Sequence, residues 1–146
     1  MPNTTEKEFT TTSAFIVTSA DADINARLRP GALVNYLIQS AVDSADMHHF
    51  GFKELRKQNL FWVLSRLTVQ IENPLKWYDK VEVDTWHKDL DRILYLRDFM
   101  VRVNGDTVAA RGTSGWLAVD LIKKRPAKVE GVDQRHYEFN RDCLLY

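Results

Sequence analysis

The polar run Asp21-Ala-Asp23-Ile-Asn25-Ala-Arg27-Leu-Arg29 is where this sequence most plainly offers chemistry. Asp23, Asn25 and Arg27 alternate, so an extended backbone would aim all three to one side. A carboxylate such as Asp23 can act as general base or nucleophile. The amide of Asn25 can hold a carbonyl or a water, and Arg27 can meet an anion. Pro30-Gly31 follows, and Pro fits the first turn of a helix. That turn leaves backbone N–H groups without intrahelical partners, and around Gly31 they could polarise a substrate carbonyl. The plainer reading stays open, because Asp and Asn in such loops also cap helices and make turns.

Gln39 and Asp43 form a second candidate, one turn apart on one helix face. In a dimer that face could meet the partner's loop; alone, it is a solvated polar stripe. His48 and His49 are adjacent and diverge on a helix, so they make no metal-binding pair, and His87 is expected at the surface near a strand end. No metal site is expected. Trp62, Trp77, Trp86 and Trp116 either line an apolar tunnel or pack in the core. The single cysteine, Cys143, can form no internal disulfide, and it fits a reducing, cytoplasmic setting. Phosphate-loop, G-x-S-x-G, H-E-x-x-H and C-x-x-C motifs are all absent.

The elements that must position these residues follow from periodicity. Glu8 to Ser19 suits a first strand. From Pro30 to His49 an apolar stripe of Leu33, Leu37, Ile38, Ala41, Val42 and Ala45 predicts a long helix, stopped at Gly51. Four extended segments follow: Leu60 to Ile71, Lys80 to His87, Ile93 to Val103 and Thr107 to Ile122, with Asn104-Gly105 as a hairpin turn. One helix segregated from a run of strands is an α+β pattern. An antiparallel sheet wrapped around one long central helix, the hot-dog arrangement, is the expected fold. Residues 1–146 read as one domain with a core over about 8–128 and a polar tail over 129–146. Sheet edges need cover or pairing, which predicts a homodimer or a higher homo-oligomer.

The 20 basic residues balance 20 acidic ones, so neither nucleic acid nor an anionic membrane is an expected partner. No apolar run approaches the ~20 residues that span a bilayer. Arg27, Arg29, Lys53, Arg56 and Lys57 could form a local patch for an acidic partner, or an ordinary charged face.

Several motifs in order resemble the acyl-ACP thioesterase family: Asp23-Ile-Asn-Ala-Arg27-Leu, Asn35-Tyr36-Leu37, Phe61-Trp-Val-Leu-Ser65-Arg66, Val81-Glu-Val-Asp-Thr85-Trp86, Arg97-Asp98-Phe99 and Ser114-Gly-Trp116. The resemblance covers about residues 8–128. It implies a hot-dog fold, hydrolysis of fatty acyl-ACP or acyl-CoA thioesters, and no metal or organic cofactor. Typical members carry two hot-dog repeats, and this chain resembles the N-terminal one, which mainly shapes the acyl pocket. The family's catalytic D-x-N-x-H pattern belongs to the other repeat. Asp23 and Asn25 match its first two positions, and Arg27 stands where the His would be. An Arg stays protonated and is no general base. The resemblance therefore implies Asp23 as base or nucleophile, with Asn25 orienting water or substrate and Arg27 binding a phosphate or an acidic carrier; the residues alone add Asp43 as a further catalytic candidate and Gly31 and Gln39 as candidate substrate contacts. Two copies would then replace the two repeats. The alternative is a non-catalytic acyl-binding or interaction module.

Overall fold

The computed structural model describes residues 10–129. Alternating segments become strands, and the apolar stripe becomes a helix buried along one face. In chain order these are β1 (Thr11–Ile16), a 3-10 turn (Ser19–Asp21), α1 (Pro30–Met47), α2 (Phe52–Lys57), β2 (Leu60–Ile71), β3 (Lys80–Asp91), β4 (Leu94–Val103), β5 (Thr107–Asp120) and β6 (Pro126–Ala127). The strands form one antiparallel sheet in the order β1-β3-β4-β5-β2, with β6 pairing with β5. The fold is the hot-dog arrangement, with α1 lying across one face of the sheet.

Three boundaries differ from expectation. β1 ends at Ile16 because its partner β3 begins at Lys80, the residue opposite it. β3 runs past His87 to Asp91, absorbing a bulge between His87 and Asp89. The short helix α2 was not anticipated, since six residues are too few to show a helical period. The β4–β5 hairpin follows from Asn104-Gly105: both residues have positive φ, 47° and 110°, which this Asn-Gly pair tolerates. The end of the expected core pairs with β5 through β6, and Val129, the first residue of the expected tail, is buried. Cys143 and the rest of the tail lie outside the described residues.

Strand alternation sorts the sheet into two faces. Val81, Val83, Thr85 and His87 of β3 and Tyr95, Arg97, Phe99 and Val101 of β4 face α1. The core there has two parts. Under the N-terminal half of α1, Leu33, Tyr36 and Leu37 pack with Val81, Val83, Phe99 and Val101. Under the C-terminal half, Ala45 joins Phe50, Leu55, Leu60, Tyr95 and Ala118. Leu37 is fully buried and lies against Gly112, whose missing side chain lets the helix approach β5. Leu37→Ala is expected to lower unfolding free energy by about 2–5 kcal/mol, read as a reduced urea midpoint at unchanged slope.

Candidate functional site

Side-chain size falls along the buried face of α1. Large residues, Leu33, Tyr36 and Leu37, give way to Ser40, Ala41, Ser44 and Ala45. The small residues cannot fill the layer beneath them, and a pocket with about 70 Å³ of internal space remains. It is lined by Ala41, Val42 and Ala45 from α1, Phe50, Trp62 of β2, His87 of β3, Tyr95 and Arg97 of β4, and Trp116 of β5. Val42, Ala45, Trp62 and Trp116 also wall a second hollow, open at the surface between Ile38, Phe52 and Phe61. Through these shared residues the two adjoin as one apolar groove between helix and sheet. Both indoles are pinned through their N–H groups: Trp62 Nε1 donates to the Phe50 carbonyl at 2.8 Å, and Trp116 Nε1 to Ser114 Oγ at 2.8 Å. His87, expected at the surface, is instead buried on the inward face of β3. There its ring meets Phe50 edge-on at 5.1 Å and Tyr95 at 6.2 Å.

The inner end of the groove is polar. Arg97 is 3% exposed and stretches from β4 towards α1. Its Nη1 donates to Ser44 Oγ at 3.0 Å and to Thr85 Oγ1 at 3.2 Å. Ser44 Oγ also accepts from Thr11, and Thr85 Oγ1 donates to the Asp98 carbonyl. Burial pushes the Arg97 guanidinium down from 12.5 to about 9, so it still carries its charge at neutral pH.

On the opposite face of the sheet, Asp98 is fully buried beside Thr113 and Trp86. Its Oδ1 accepts from Thr113 at 2.6 Å and meets Lys88 Nζ at 3.4 Å, while Oδ2 has no hydrogen-bond partner among the described residues. Burial raises the Asp98 pKa, against opposing pulls from Thr113 and Lys88. Among the described residues no cluster of His, Cys, Asp and Glu is arranged to hold a metal ion.

The residues singled out in the sequence lie elsewhere. The Asp23 loop is exposed and tightly wound, with Asp23 Oδ1 accepting from the backbone N–H of Asn25 (2.8 Å) and Arg27 (3.0 Å). Ala26 has φ 62°, and the loop closes as a small turn between Ala22 and Leu28. Asp23, Asn25, Arg27 and Gly31 gather at the N-terminal end of α1. From Gly31 to the groove-lining Val42, at 1.5 Å per residue, is about 16 Å along the helix axis. Gln39 and Asp43 do share a face: Gln39 Nε2 donates to Asp43 Oδ1 at 2.8 Å, exposed and next to the groove mouth at Val42. Of the tryptophans, Trp62 and Trp116 line the groove. Trp86 is wholly buried on the other face of the sheet, and Trp77 is exposed and stacked on Tyr78. His87 and Arg97 were missed as pocket residues. The signal for Arg97 was its place between Tyr95 and Phe99 on the inward parity of β4.

Comparison with known proteins bears on this geometry. The model of the acyl-ACP thioesterase N-terminal domain family matches residues 8–133. A chloroplastic palmitoyl-acyl carrier protein thioesterase of Gossypium hirsutum is 32% identical over 105 residues, 66% of this chain and 25% of that protein. The chain thus spans about a quarter of that relative's length. An acyl-ACP thioesterase structure from Bacteroides thetaiotaomicron superposes with TM-score 0.89 at 28% identity, covering 97% of this chain and 58% of that one. A DHNA-CoA thioesterase from Staphylococcus aureus shares the fold, with TM-score 0.73 at 15% identity over 82% of this chain and 80% of that one.

Asp98 gives the sheet a pH signature. A carboxyl whose folded pKa lies above its unfolded value costs stability as pH rises through the folded pKa, and that cost disappears in acid. Asp98→Asn removes this titration. The stability of Asp98→Asn minus wild type is expected to be largest near pH 7 and to shrink as pH falls towards the ordinary carboxylate range. Urea unfolding at a series of pH values measures it; a pH-independent difference would contradict the burial argument.

Proposed function

The chain belongs to the acyl-ACP thioesterase family, matching its N-terminal domain, and from that premise we propose that it binds and hydrolyses fatty acyl thioesters. The groove between α1 and the sheet is the single observation that carries this reading. Its walls are mainly apolar and aromatic, and it opens beside exposed polar side chains, which suits a chain with a polar head. The inner pocket is smaller than the roughly 300–1,000 Å³ of ordinary ligand sites, so the acyl chain must occupy the outer hollow as well. The head group is a carrier thioester, acyl-ACP or acyl-CoA. Lys53, Arg56 and Lys57, exposed on α2 beside the outer hollow, offer basic side chains to an acidic carrier, while Arg27 and Arg29 lie at the other end of α1.

Hydrolysis needs a carboxylate at the thioester carbonyl to activate water. Two carboxylates of one chain are candidates: Asp46, which lines the outer hollow, and Asp43, joined to Gln39 and next in sequence to the lining Val42. The Asp23 loop, with Asn25 to orient water and Arg27 and Gly31 to contact the head, would come from a second hot-dog unit facing the groove. A homodimer supplies that unit, and a cytoplasmic location belongs to the same proposal. The second reading is an acyl-binding module without turnover. It is favoured by the Asp23 carboxylate being committed to two backbone N–H groups far along α1 from the groove.

Hydrolysis of acyl-ACP and acyl-CoA panels separates the two readings. Turnover is expected, falling sharply in Asp23→Ala or Asp43→Ala according to which carboxylate serves. Tight acyl binding without turnover would establish the binding module instead. Val42→Trp at the exposed groove mouth is expected to keep the fold and lose affinity for long chains. Each methylene kept out of the groove forfeits about 0.8 kcal/mol, so excluding two costs roughly tenfold.

A further inference from the structure

An apolar groove for a fatty chain has no need of a buried cation in its wall. Arg97 is nevertheless there. It lines the inner pocket, is 3% exposed, and has no carboxylate within ion-pair distance among the described residues. Its two hydrogen bonds both leave from Nη1 and both end on neutral hydroxyls, those of Ser44 and Thr85. A guanidinium offers five N–H donors in a planar fork, and Nε and Nη2 have no hydrogen-bond partner among the described residues. Burying a charge without a counter-charge is costly, so such a site gains strongly from an anion that fits it. Asp98, next in sequence, cannot serve, because strand alternation turns its carboxylate to the other face, where it meets Thr113 and Lys88. The Ser44 and Thr85 hydroxyls hold the guanidinium in place without neutralising it.

We propose that the Arg97-lined pocket of the groove is a carboxylate subsite, in which Arg97 pairs with a carboxylate borne by the occupant. The inference rests on the groove being the acyl site. The carboxylate has two possible sources. It is either the far end of an ω-carboxyacyl thioester or the head of a released fatty acid seated inward. Both present two acceptor oxygens to the Nε and Nη2 edge of the fork, a bidentate geometry that a carboxylate matches and an alcohol does not. Arg97 then acts as a specificity residue, separate from the hydrolytic carboxylates at the mouth.

Trp62 and Trp116 line the groove and report occupancy by fluorescence. Wild-type protein is titrated with decanoate and decan-1-ol, and with decanoyl and 9-carboxynonanoyl pantetheine thioesters. A charge-assisted pair predicts roughly ten- to hundredfold tighter binding of the carboxylate-bearing member. Preference for the 9-carboxynonanoyl thioester assigns the subsite to the substrate's far end; preference for decanoate alone assigns it to released acid. In Arg97→Met the carboxylate preference should vanish while decan-1-ol affinity stays, and Arg97→Lys should restore part of it. A purely structural role for Arg97 would weaken all ligands alike. Equal wild-type binding of decanoate and decan-1-ol, and of the two thioesters, overturns the proposal while leaving the acyl groove intact. Failure of every ligand to bind overturns both. The wild-type comparisons stand even if the Arg97 variants do not fold.

Discussion

Everything in this chain depends on how α1 is buried against the inner face of the sheet. A helix packed on a strongly twisted sheet makes close contact where its residues are large and the strands recede, and loses contact where its residues are small. Leu33, Tyr36 and Leu37 fill the first half of that layer, and Gly112 opens β5 to receive Leu37. Ser40, Ala41, Ser44 and Ala45 leave the second half underfilled. The groove is therefore the consequence of a size gradient along one helix face, and not of a loop or a separate domain. Aromatic residues from three strands, Trp62, Tyr95 and Trp116, then wall the space without closing it.

Polar groups inside the layer follow from the same geometry. Where no large apolar residue separates α1 from the sheet, the helix hydroxyl of Ser44 can reach Arg97 and Thr11 directly. This joins α1 to β4 and β1 through hydrogen bonds. At the other end of the helix, Tyr36 stacks on Phe15 at 4.4 Å and donates to Asp21 at 2.9 Å, and burial with that carboxylate raises its pKa to about 12. The two halves thus differ in kind: one is a dry core with a polar tie at its rim, and the other is a hollow with a charge at its base.

Much of the fold was legible because its signals are local. Pro30 opens α1, Asn104-Gly105 sets the β4–β5 hairpin, and alternation in Leu67-Thr-Val69-Gln-Ile71 marks β2, whereas α1 stops at Met47, with His49 at positive φ, and the expected stop Gly51 instead caps α2. The site was less legible because a pocket arises from elements distant in sequence. His87 looked like a strand end because the bulge that extends β3 depends on pairing with β4. Arg97 and Asp98 are adjacent charges within an apolar run, and the register that sets Arg97 opposite His87 and Ser114 turns it inward and Asp98 outward. The Asp23 loop shows the reverse. Its residue types suggested chemistry, and the carboxylate is engaged in winding its own turn.

The distance between the loop and the groove frames how such a unit can work. About 16 Å of helix separates Gly31 from Val42 and about 10 Å separates it from Ile38 at the outer hollow, so in one chain the loop sits apart from the groove rather than in its wall. A hot-dog sheet leaves edges at β1 and β2, and β2 presents a 12-residue edge beside the groove-walling Trp62. Pairing along that edge would continue the sheet and bring a second α1 alongside the first. Were the two helices antiparallel, the N-terminal end of one would lie near the C-terminal half of the other, and the loop of each unit would face the groove of its neighbour. Two-fold pairing is therefore a way for one chain to supply both the cavity and the polar loop that it holds too far apart.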